Sequence, residues 1–141
     1  MTRHEVDALF ERYEQAMCRH DIAMFTGIHA ADAVVDSPTA GGTVSGRDAI
    51  EAITRAWFTG FPDVEFTTQD IIVDGDRVVW ILTTHGTDTG GFLGLPPTGK
   101  PFRVPMVVIC TMGDAQIRHE RRIYDFTGLL TQIGVLKVKP A

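Results

Sequence analysis

Ile117–Gly134, I-R-H-E-R-R-I-Y-D-F-T-G-L-L-T-Q-I-G, reads as a strand through Tyr124 that turns at Asp125 into a short apolar helix. Four charged residues and a histidine crowd the strand half, as Arg118, His119, Glu120, Arg121 and Arg122. Charge this dense is ordinary at a solvated edge and less expected in a strand that closes a small core. Strand alternation puts Glu120, Arg122 and Tyr124 on one face and His119, Arg121, Ile123 and Asp125 on the other. The chemistry open to the protein depends on which of these faces looks inward.

Upstream, the same segment is joined through Gly113-Asp114-Ala115 to an apolar strand over Phe102–Met112. Before it come Arg77–Thr87, holding the apolar run V-V-W-I-L, and a strand from Val64 to Val73. Asp74-Gly75-Asp76 links those two as a hairpin turn. A long loop rich in glycine and proline, T-G-G-F-L-G-L-P-P-T-G-K at 89–100, separates the second and third strands. The spacing of Ile50, Ile53, Ala56 and Trp57 predicts a helix ending near Gly60, with Ser45 and Asp48 as its cap.

The first forty residues carry helical periodicity. Val6, Leu9, Phe10, Tyr13 and Met17 share one face of a helix over 3–19, opened by a Thr2/Glu5 capping box. Ile22, Met24, Phe25 and Ile28 predict a second, shorter helix. Ala33–Ser37 reads as a brief strand stopped by Pro38. The stretch S-P-T-A-G-G-T-V-S-G at 37–46 reads as turn chemistry throughout. Helices first and a run of strands afterwards define an α+β domain spanning 1–141, a curved antiparallel sheet with the N-terminal helices packed across its concave face. Such a cone-shaped cavity suits a small apolar ligand.

Composition narrows the function classes. The chain has 141 residues, 44% hydrophobic and 22% charged, with a net charge of -5. A nucleic-acid surface needs a clustered basic face, and the only basic cluster here is broken by Glu120. No apolar run is long enough for a membrane helix, and the N-terminus lacks the apolar core of a signal peptide, so a cytoplasmic protein without membrane contact is expected. Cys18 and Cys110 fit no ligand spacing, and the five histidines form no H-x-x-x-H pattern, so no metal is expected.

The loop G-F-L-G-L-P-P-T-G-K at 91–100, followed by D-F-T-G-L-L-T-Q-I-G at 125–134, resembles the SnoaL-like polyketide cyclases. These share a cone-shaped α+β fold with nuclear transport factor two and the ketosteroid isomerases. The resemblance implies cofactor-independent chemistry, such as aldol ring closure, on hydrophobic polyketide-like molecules, and homodimers packed through the outer sheet face. It also exposes departures. The cyclases' acid/base aspartate, three residues before D-F-x-G, falls at Arg122. Their polar helpers fall at Met106 and Val108, and the isomerases' base aspartate falls at Ser37. The isomerases' phenolic donor, in an Arg-Tyr pair on the first helix, is matched by Arg12-Tyr13.

If the Arg122 correspondence holds, Glu120, Arg122 and Tyr124 line the cone, with Met106, Val108 and Cys110 beside them and Trp80, Leu82 and Thr84 one strand further. Arg122 stays protonated and cannot be a base. It can polarise a carbonyl or epoxide oxygen through a forked hydrogen bond, with Tyr13 as a second donor. Glu120 is then the expected proton acceptor, its pKa raised by apolar walls. Trp57 is expected as pocket wall, Ser37 and His85 near the mouth, His119 opposite Arg122 in a structural or interfacial role, and Asp36 as a turn cap. Two alternatives stand beside an acid/base enzyme of this kind: a binding module without turnover, and epoxide opening by the arginine–carboxylate pair.

Overall fold

The computed structural model describes residues 1–137. Helix α1, Arg3–Arg19, opens on the Thr2 hydroxyl, which accepts from the Glu5 amide at 3.1 Å. It buries Val6, Leu9, Phe10, Tyr13, Ala16 and Met17 on one stripe. Asp21 caps α2, Ile22–Ile28, through the Met24 amide. The chain then extends directly into β1, His29–Ser37, four residues earlier than the sequence pattern indicates.

The segment at 37–46 departs from its expected turn character. A short 3-10 turn at Pro38–Ala40 leads into a true edge strand, β2, Gly42–Ser45, which pairs antiparallel with β1. The α3 helix, Arg47–Gly60, begins at Gly46 with no side-chain cap, so the expected Ser45 and Asp48 cap is not made. Its Ile50, Thr54, Trp57 and Gly60 are buried.

The remaining strands are β3, Glu65–Asp74; β4, Arg77–Thr87; β5, Pro101–Gly113; and β6, Gln116–Tyr124. Helix α4, Phe126–Gln132, follows, capped by the Asp125 carboxylate on the Gly128 amide at 2.8 Å. The six strands lie in the order β2-β1-β6-β5-β4-β3. Antiparallel pairing holds along this curved, unclosed sheet except between β1 and β6, which run parallel. Helices α1 and α3 pack against it, α1 on β3 and α3 on β1.

Registers across β4, β5 and β6 order the inward side chains into rows. From one end these are Val78–Cys110–Glu120, Trp80–Val108–Arg122, Leu82–Met106–Tyr124, Thr84–Val104 and Gly86–Phe102. Alternation along β4 and β5 is regular, every second residue buried and its neighbours partly exposed, so V-V-W-I-L is buried on one face only.

Candidate functional site

In β6 the charged residues divide by parity. Glu120 is fully buried and Arg122 is 7% exposed, while His119 and Arg121 face solvent. Tyr13, on the buried stripe of α1, hangs over the same rows, its ring 4.6 Å from that of Trp80. Its hydroxyl donates to Glu120 Oε2 at 2.9 Å. Arg122 Nε donates to the same oxygen at 2.5 Å, and Arg122 Nη2 donates to the Tyr13 hydroxyl at 3.3 Å.

The fourth member of the cluster is His29, which the sequence reading did not single out. Its Nε2 lies 3.0 Å from Glu120 Oε1 and its Nδ1 lies 3.1 Å from the Phe25 carbonyl oxygen. It too is fully buried. Since a carbonyl oxygen can only accept, Nδ1 carries a hydrogen. Nε2 then faces a carboxylate oxygen, and a proton must sit between them on one side or the other. Both oxygens of Glu120 are therefore engaged.

These contacts reverse the expected acidity of Glu120. Burial pushes the carboxyl up, but the Arg122 charge, and after it the His29 contact, bring it down to about 2. Glu120 is a fixed anion with little basicity. The reading of a carboxylate raised by apolar walls set burial above the Arg122 charge and did not include His29. Burial pushes the Tyr13 phenol well above its ordinary value, with Arg122 opposing, so Tyr13 remains a donor. For Arg122, burial acts downward but the Tyr13 and Glu120 partners outweigh it, and the net shift is upward.

The cone itself is filled. Trp80, Leu82 and Val108 are 0% exposed, and Met106 and Trp57 are 1% exposed. These residues are buried in the core, Trp80 against Phe10 and Tyr13 and Trp57 against Phe61, Phe92, Phe102 and Tyr124. Arg122 reaches a surface groove of about 400 Å³ that it shares with Asp36, Ser37, Pro38, Gly41, Gly42, Thr43 and Arg121. The Ser37 hydroxyl, buried beside it, pairs with that of Thr39 at 2.9 Å.

His85 does not face the mouth. It projects from the outer side of β4, opposite to Thr84, with Nε2 at 3.3 Å from Glu65 Oε2. His119 takes the structural place expected of it, with Nε2 at 2.7 Å from Asp36 Oδ2 on the outer face. Asp36 also accepts from Thr43, so it ties β2 to β1 and β6 in place of capping the turn. Tyr124, Trp57 and Thr84 carry further buried polar atoms. Among the described residues, Trp57 Nε1, Thr84 Oγ1 and the Tyr124 hydroxyl are buried without a hydrogen-bond partner. Burial pushes the Tyr124 phenol up; the nearby Thr39 and Ser37 hydroxyls oppose this but lie outside hydrogen-bonding geometry. No group of His, Cys, Asp and Glu among the described residues is arranged to hold a metal ion. None of their helices is long and apolar enough to cross a membrane.

A curved sheet crossed by helices is the fold of nuclear transport factor two and the ketosteroid isomerases. A ketosteroid isomerase-like protein from Catenulispora acidiphila has this fold, with a TM-score of 0.77 at 21% identity over 89% of this chain and 92% of that one. The profile of the SnoaL-like polyketide cyclases matches residues 7–133, and the chain belongs to that family. TsrD from Streptomyces laurentii is similar over 96% of this chain and 99% of its own, with 26% identity and a TM-score of 0.86. IdmH from Streptomyces antibioticus, described as a candidate polyketide cyclase, is 27% identical over 91% of this chain and 97% of its own, with a TM-score of 0.77. A search of curated proteins gave no significant match.

Proposed function

We propose that this protein is a cofactor-independent SnoaL-like enzyme acting on a hydrophobic, oxygenated, polyketide-like small molecule through electrophilic catalysis by Arg122, which Tyr13 and Glu120 hold in place. The observation that carries this reading is the division of labour in the cluster. Glu120 is buried with both oxygens engaged, whereas Arg122 lies at the edge of the surface groove. A guanidinium fixed by a buried carboxylate is a preorganised donor, and such donors lower barriers where negative charge develops on an oxygen.

On this reading, the Arg122 hydrogens not used on Glu120 and Tyr13 polarise a substrate carbonyl and stabilise the enolate formed in ring closure or isomerisation, while Tyr13, whose one hydrogen goes to Glu120, helps hold the guanidinium in place. The released proton goes to water or to the substrate, because Glu120 at about 2 is too weak a base to hold it. Glu120 serves as anchor. Epoxide opening has less support: the carboxylate that would activate water has no free oxygen.

A binding module without turnover is the second reading, and the lack of a basic carboxylate beside Arg122 favours it. A panel of polyketide ketones assayed for turnover and for binding separates the two. Conversion of at least one ketone, lost in Arg122→Lys, supports the enzyme; tight binding with no conversion supports the module. The outer sheet face, with Ile123 at 44% exposure and Val79, Ile81, Val107 and Ile109 partly exposed around it, supports a homodimer, which sedimentation would test.

A further inference from the structure

At the hairpin end of the sheet, the start of α1 and two turns enclose a cavity of about 540 Å³, larger than the groove beside Arg122 and sharing no residue with it. Its floor is apolar, formed by Val6, Val78 and Met112, all buried, with Met1 at the side. Its rim carries three carboxylates, Glu5 from the first turn of α1, Asp76 from the β3–β4 turn and Asp114 from the β5–β6 turn. The two turns are held together by the Met112 amide, which donates to the Asp76 carbonyl oxygen at 2.8 Å. Arg118 answers Asp114 at 3.7 Å. No ion pair among the described residues engages the carboxylates of Glu5 and Asp76. No lysine or arginine lines the cavity. Thr2 already takes the amides of Glu5 and Val6, which lessens the pull of the helix start on an anion.

We propose that this cavity is a binding site for a short alkylammonium, its chain on the Val6–Val78–Met112 floor and its head between Glu5 and Asp76. The site is separate from the chemistry at Arg122 and does not depend on it. An apolar floor takes up a short chain whatever its head, and a methionine thioether adapts to the chain's shape. The rim decides among heads. An ammonium has three donors and no acceptor, and two unpaired carboxylates are its complement in both hydrogen bonding and charge. A hydroxyl gains little from them, and a carboxylate is repelled. The acidic side chains come from three separate segments and do not converge as a metal centre. A divalent ion needs several oxygens at close range, whereas an organic cation needs only a negative rim over an apolar surface.

The test titrates the whole protein with hexylammonium, hexanol and hexanoate, which share a chain and differ in head, and follows methyl signals in ¹H–¹³C spectra. Hexylammonium should move the Met112 and Val78 methyls along saturating curves and leave Met106, beside Tyr124 in the sheet register, in place. It should bind roughly fivefold more tightly than hexanol, the worth of exposed ion pairs, and lose that margin in high salt. Hexanoate should bind most weakly. Equal affinity for hexylammonium and hexanol, or a preference for hexanoate, overturns the proposal. So does a response centred on Met106, or no saturating shift at any concentration the folded protein tolerates. Glu5 and Asp76 are exposed, so the double variant Glu5→Gln, Asp76→Asn should fold. It should bind hexanol as before and hexylammonium no better than hexanol. An ammonium preference that survives in the double variant removes the two carboxylates from the site and overturns the proposal.

Discussion

His29 Nε2 lies 3.0 Å from Glu120 Oε1, and both side chains are wholly buried. The contact joins the start of β1 to the middle of β6, two strands that run parallel. Because Nδ1 is committed to the Phe25 carbonyl, the contact needs a proton, and it fixes the carboxylate that orients Arg122. His29→Leu should cost about 1.5–3 kcal/mol, the usual worth of a hydrogen bond to a charged group. His119→Leu, which breaks the exposed pair with Asp36, should cost about 1 kcal/mol or less. Denaturant titration of the two variants at neutral pH measures both, and equal costs would remove His29 from the structural account.

Acid should destabilise the protein through Glu120. Its folded pKa, about 2, lies below the ordinary 4.5, so its contribution is fully present above about pH 4.5 and is lost as pH falls toward 2. A difference of this size is worth about 3 kcal/mol. Glu120→Gln removes the titration and leaves the Arg122 charge buried beside a neutral group, at a cost of about 3–5 kcal/mol at neutral pH. Unfolding free energies measured from pH 7 to pH 2.5 should show a shallower acid slope in Glu120→Gln than in the wild type.

Parity in β6 was legible from sequence because the side-chain period of a strand is two, and the bounds of β4 and β6 are those the pattern predicts. Three features were not legible. Strand β2 is four residues long and begins in the Gly41-Gly42 pair, so its composition resembles a turn. The β1–β6 pairing is non-local, and local patterning does not encode it. His29 sits at a helix–strand junction, 91 positions from its carboxylate partner; its apolar neighbours Ile28 and Ala30 were the only sign of burial. The acidity expected of Glu120 was wrong chiefly because burial was set above the Arg122 charge, with His29 adding to the same effect.

The loop at 88–99 should control access to the cone. Asp88, fully buried, accepts from the amides of Gly91, Phe92 and Thr98 and from the Thr98 hydroxyl. A Cβ at Gly90 would lie 1.7 Å from the Thr59 carbonyl oxygen, so only glycine allows the loop to sit this close to α3. Gly90→Ala should lift the loop, withdraw Phe92 and expose Trp57. Faster amide exchange across 88–99 and stronger acrylamide quenching of tryptophan fluorescence are the expected readouts. A variant with wild-type quenching would show that Phe92 does not plug the cone.

Tyr13→Phe should fold, since the ring and its aromatic contacts remain. It removes the donor to Glu120 Oε2 and the acceptor for Arg122 Nη2. Arg122 then loses one of its two positioning contacts and is a less preorganised donor. The expectation is a fall in kcat with KM little changed. A fall confined to KM would make Tyr13 a binding residue alone.

Arg122→Lys tests the central claim most directly. The substitution keeps a positive charge beside Glu120 and removes the forked, planar donor. Turnover of a converted polyketide ketone should fall about 100-fold or more in Arg122→Lys, while circular dichroism and the melting curve show a folded protein. Wild-type kcat/KM in folded Arg122→Lys would contradict electrophilic catalysis by the guanidinium.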